Sequence, residues 1–111
     1  MRVTSALWVA AYIRRRNAEE SPTVVVRRGA EEAGAIFVIV DRLDGTSDLY
    51  GPAPQSDFDE ANPSDRRFLV MLERANPEEI AKATERERRF DPDLWIVAVE
   101  DREGRALLEP G

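Results

Sequence analysis

Apolar positions follow two rhythms along the chain. Leu7, Trp8, Ala11 and Tyr12 share one helical face behind Thr4 or Ser5 as N-cap, and Arg14, Arg15 and Arg16 come where positive charge complements the helix dipole. A helix over roughly 5–18 is expected from this spacing. Asn17 to Pro22 breaks the pattern. Thr23-Val24-Val25-Val26-Arg27-Arg28 is then short and β-branched, a strand ended by Gly29. Glu31-Glu32-Ala33-Gly34 connects it to Ala35–Arg42, the most strand-like segment of the chain. Asp44-Gly45 signals a hairpin turn, and Thr46 to Tyr50 forms the returning strand. Three antiparallel strands in a meander follow from this order.

Gly51 to Asp65, rich in proline and acids, reads as the one long loop. Arg66-Arg67-Phe68-Leu69-Val70-Met71-Leu72 fits strand or helix, and strand is preferred because a helix there would run into the next one. That next helix has the clearest local signals: Asn76 as N-cap, Pro77 at the first position, and Glu78 and Glu79 at the positive end of the dipole. Glu78–Lys82 and Glu85–Arg89 add i,i+4 pairs, and Pro92 stops the segment. Leu94 to Val99 is the last strand, and 101–111 is a polar, frayed tail. The sequence thus predicts a single α+β domain over 1–111: a mainly antiparallel five-stranded sheet with two helices, in the order α-β-β-β-β-α-β.

The strands at 36–40 and 94–99 are apolar on both alternating faces, the mark of central strands covered from both sides. Two helices, one with Ile80 and alanines as its apolar contacts, suffice for one face. A homodimer covering the other face is the expected oligomeric state.

Composition narrows the chemistry. In 111 residues, 42% are hydrophobic and 34% charged, too apolar for a disordered chain and too charged for a membrane protein. Arg2 followed by Ala6 to Ile13 superficially resembles a secretory signal. The run into Arg14-Arg15-Arg16, without a cleavage site, favours a helix of the mature fold. With no cysteine there is no disulfide framework, and the cytoplasm is the expected location. Zinc sites and serine–histidine or cysteine–histidine catalysis need residues this chain lacks, and no cofactor is expected. The net charge of −6 is uneven, with six arginines against two acids in 1–30 and ten basic against twenty acidic residues in 31–111.

The blocks Arg27-Arg28-Gly29-Ala30-Glu31-Glu32-Ala33-Gly34 and Phe90-Asp91-Pro92-Asp93-Leu94-Trp95, with Glu100 to Arg105 behind them, resemble a family of short proteobacterial proteins known as a domain of unknown function. The likeness covers nearly the whole chain, including Leu7-Trp8-Val9 and Leu49-Tyr50-Gly51. It implies a stand-alone bacterial cytoplasmic domain and supplies no activity, ligand or catalytic residue.

Three candidate sites remain. Asp91 and Asp93 flank Pro92 and could divide acid and base roles or hold a divalent ion, with Arg28 stabilising an anion; a sharp turn uses the same residues to bond nearby N–H groups. Arg28, Asp91 and Asp93 are the candidate binding residues. Asp57, Asp59 and Glu60 form a second acidic cluster without the glycine or distal glutamate of a calcium loop. Arg14 to Arg16 with Arg27 and Arg28 could make a basic face for nucleic acid, but the acidic chain, with no clustered aromatics, favours pairing with carboxylates. Gly29 and Gly34 lack the Lys-Ser/Thr of a phosphate loop and read as a turn, and Trp8, Tyr12 and Trp95 read as core. The leading reading is a non-enzymatic interaction module, a homodimer with a possible protein partner, no membrane role and nucleic acid disfavoured as a ligand. A carboxylate- or metal-dependent hydrolase is the first alternative and weak nucleic-acid binding the second.

Overall fold

A computed structural model describes residues 3–54 and 66–110. Helix α1 spans Ser5–Ala18, with the Thr4 hydroxyl accepting the Leu7 N–H at 3.2 Å. Strands β1 (Thr23–Arg27), β2 (Ile36–Asp41), β3 (Ser47–Pro52) and β4 (Arg67–Ala75) follow. Helix α2 (Pro77–Phe90) opens on a capping box in which Asn76 and Glu79 each accept the other's backbone N–H. Strands β5 (Trp95–Glu100) and β6 (Glu109–Pro110) complete the order. The segment 66–72 is a strand, as its pattern suggested, and no helix among the described residues is long and apolar enough to cross a membrane.

The sheet departs from the expected antiparallel five strands. It is mixed and six-stranded, in the order β1-β5-β2-β3-β4-β6, with β2–β5 and β4–β6 parallel. The expected meander fails at its first step, because β1 pairs with β5 and not with β2. Burial explains the difference: β2 and β5 are apolar on both faces and take adjacent central positions, displacing the more exposed β1 to the margin.

Each face has its own helix. On one side Val9 and Tyr12 of α1 pack on Ile36, Val38, Val40, Val97 and Val99; on the other, Ile80 and Ala83 of α2 pack on Phe37, Leu49 and Ile96. One helix per face removes the ground on which the sequence required a partner to cover a whole face. The expected frayed tail is also corrected. The Tyr12 hydroxyl donates to the Ala106 carbonyl at 2.7 Å, Ala106 is buried, and β6 pairs with Arg67 and Phe68. Carbonyls of 105–107 meet donors from α1, an order that hydropathy alone does not show.

Candidate functional site

At the end of the sheet where β2 and β5 begin, the loop 28–35 folds over the Asp-Pro-Asp corner. Gly29 and Gly34 both lie so close to the Asp93 carbonyl that neither has room for a Cβ, and the Ala30 N–H donates to that carbonyl at 2.9 Å. The Trp95 indole returns a bond to the Ala30 carbonyl at 2.8 Å, and Arg27 donates to the Pro92 carbonyl at 2.8 Å. The loop also holds the start of α1: the Glu31 and Glu32 carbonyls accept the N–H groups of Ala6 and Ser5, and the Ser5 hydroxyl donates to Gly34 at 2.6 Å. Helix N-termini leave such donors open, and here the chain fills them itself.

Arg28, Asp91 and Asp93 stand around this clasp. The Asp91 carboxylate accepts the Asp93 N–H at 3.0 Å, the local bond of a turn. Arg28 lies over the Trp95 ring at 5.2 Å and pairs with Glu31 at 3.5 Å. The contact of Gly29 with Asp93 connects the arginine to the corner through backbone, while the Arg28 side chain is engaged by Trp95 and Glu31. Among the described residues no group of three or more carboxylates is placed to hold a metal ion. Asp57, Asp59 and Glu60 lie outside the described residues.

The opposite end, beyond the carboxyl ends of parallel β2 and β5, is where open α/β sheets commonly place ligands. A hollow of about 420 Å³ opens there, lined by Glu19, Glu20, Glu100, Asp101, Glu103 and Arg105 among others. Beneath it Arg16, 1% exposed, donates to Asp101 at 3.0 Å, to Ser21 at 3.1 Å and to the Arg105 carbonyl at 2.8 Å. Burial pushes the Asp101 carboxyl up, but backbone N–H bonds from Glu103 and Arg105 and the Arg105 side chain outweigh it and hold the carboxyl below its usual value. Asp48, also buried, receives three bonds from the Arg42 guanidinium and one from the Arg74 N–H at 2.8 Å. These residues are structural. Sequence reasoning placed Arg16 in a surface run, although Ser5, Val9, Tyr12 and Arg16 share one helical stripe.

The expected arginine face is dispersed. Arg16 is buried, Arg15 donates to Leu107 and lies over Tyr12, and Arg27 is bound to Pro92.

The margin at β1 is different. Val24, Val25 and Val26 are 60%, 39% and 58% exposed, three consecutive apolar residues on a strand with no outer neighbour among the described residues. Val24 pairs with Ala98 on the α2 side and Val25 with Val97 on the α1 side. Asn17 reaches from α1 to the backbone of Thr23, accepting its N–H at 2.9 Å and donating to its carbonyl at 3.4 Å. The Pro22 carbonyl accepts from Glu100 in β5, so alternation turns Thr23 and Val25 outward. With Thr23 taken by Asn17, Val25 is the open position. The far margin is closed otherwise: β6 covers Arg67 and Phe68, and two irregularities interrupt β4 beyond them.

Known proteins match this architecture. The family model described as "Protein of unknown function (DUF1491)" matches residues 3–109. The solution structure of protein Atu0922 from A. tumefaciens is 49% identical, with a TM-score of 0.80 over 90% of this chain and 86% of that one. A crystal structure of a DUF1491 family protein from Caulobacter crescentus CB15 is 35% identical, with a TM-score of 0.78 over 99% of this chain and 97% of that one. An NMR structure of a DUF1491 family protein from the same organism is 36% identical, with a TM-score of 0.80 over 99% and 96%. No curated protein matches.

Proposed function

Because the chain belongs to the DUF1491 family, for which no activity is established, we propose a function read from its surface: a non-enzymatic interaction module of the bacterial cytoplasm that acts as a homodimer. The observation that carries this reading is the β1 margin, where three adjacent valines stay exposed although each face of the sheet has a helix. Apolar side chains in a row on an outer strand mark an association surface. The residues with the most constrained chemistry, Arg16, Asp48 and Asp101, are bound to neighbouring groups in the fold, which favours binding over catalysis.

Light scattering at micromolar concentration is expected to give twice the chain mass of 12.5 kDa. Val24→Glu with Val26→Glu, at two exposed positions, is expected to return the mass to that of one chain without loss of the helical circular dichroism signal. A single-chain mass for the unaltered protein over the whole concentration range would overturn the homodimer.

A further inference from the structure

Resting on the homodimer reading, we infer that the partner at β1 is a second copy of this chain, joined antiparallel about Val25, with its Arg28 placed against Glu20. The backbone supplies the first argument. Val25 turns its N–H and C=O outward, whereas the corresponding groups of Thr23 are bonded to Asn17. A residue on a two-fold axis of antiparallel strands exchanges both bonds with its own copy, so one open position is sufficient. The irregularity between Val25 and Arg27 bends each strand away beyond the axis, which confines pairing to 24–26 and clears the Asn17 side chain.

Side chains give the second argument. About a two-fold axis at Val25, Val24 stands opposite the partner subunit's Val26, and the two most exposed residues of β1 cover each other on both sides of the axis.

Charge decides the direction and the partner. Glu19 and Glu20 precede β1, Arg27 ends it and Arg28 follows. A parallel pair would set like charges together. An antiparallel pair brings the acidic Glu19-Glu20 end of each chain segment toward the basic Arg27-Arg28 end of the other, which sets Glu20 and the partner subunit's Arg28 on facing flanks of the paired residues. Glu20 has no ion pair among the described residues, and Arg28 is 67% exposed with one weak pair to Glu31 at 3.5 Å. An acid–valine–arginine order is its own complement when reversed, which is what a second copy supplies.

Sedimentation equilibrium of the full chain and five variants tests this. Arg28→Glu and Glu20→Arg are each expected to weaken dimerisation about tenfold, since two symmetric ion pairs become two repulsions, and the double exchange is expected to restore it. Val25→Pro removes the single outward donor, a change an outer strand tolerates, and is expected to abolish the dimer. Val25→Lys, judged beside it, covers the case in which proline unfolds the chain. If the unaltered protein dimerises while the charge variants and Val25→Lys dimerise equally well, the β1 arrangement is wrong and the homodimer reading stands on another surface. If the unaltered protein is a monomer, both fall.

Discussion

Asp101→Ala is expected to remove about 3 kcal/mol of stability, the cost typical of leaving one partner of a buried ion pair behind. Arg16 and the Asp101 side chain are each 1% exposed, so the variant strands a guanidinium that water does not reach. Ser21 and the Arg105 carbonyl still accept from it, and Glu19 still pairs with it at 3.2 Å, which limits the loss. Urea unfolding measures the change, and a loss below about 1 kcal/mol, the scale of an exposed pair, would show that the pair contributes little. The pH dependence has a definite sign. The folded carboxyl titrates below its ordinary value of 3.8, so its contribution is present above that value and disappears as pH falls through the lower folded value. Asp101→Ala should therefore lose part of the acid limb of the stability profile and leave the neutral region flat. Hydrogen exchange at 105–108 should rise with it, because Arg16 holds Arg105 and neighbouring donors hold Ala106 and Leu107.

The second large effect is expected at Gly34. A Cβ there would meet the Asp93 carbonyl and lie 3.0 Å from the backbone of Ala30, and a backbone neighbour cannot swing aside as a flexible side chain does. Gly34→Ala is expected to cost about 2–3 kcal/mol by overpacking, and Gly29→Ala, against the same carbonyl, a similar amount. Gly45→Ala is the comparison: its φ is +89° but nothing lies within 4 Å, so it should cost about 1 kcal/mol through backbone strain alone. Thermal denaturation separates them. Equal costs at all three positions would mean that the clasp between loop 28–35 and the Asp-Pro-Asp corner yields easily.

Where local chemistry decides, the sequence was readable. Asn76-Pro77-Glu78-Glu79 marks the start of α2 because capping and dipole terms act within one turn, and both strands apolar on two faces, β2 and β5, are central neighbours. What local pattern does not hold is which strand lies beside which. Adjacency in the chain suggested β1 beside β2, but burial of β5 on both faces outweighed a short connection. The order of 101–110 depends on backbone carbonyls, which every residue carries alike, so composition does not betray it. For Arg28, Asp91 and Asp93, the turn hydrogen bond of Asp91 and the stacking of Arg28 on Trp95 depend on a loop conformation that spacing does not reveal. Arg16 was legible in principle, since it continues the stripe of Val9 and Tyr12.

The bonds from α1 to the segment 101–107 have a consequence in time. Tyr12 waits for Ala106 and Arg16 for Asp101 and Arg105, partners 94, 85 and 89 positions away. Such distant closures are slow, because the intervening chain must be ordered before they repay the entropy lost. On the ribosome α1 is synthesised first, yet its seat is finished only when the end of the segment 101–110 has left the exit tunnel. Until then the Tyr12 hydroxyl and the Arg16 guanidinium lack their acceptors, and the closure of α1 onto 101–106 falls after the central strands are made.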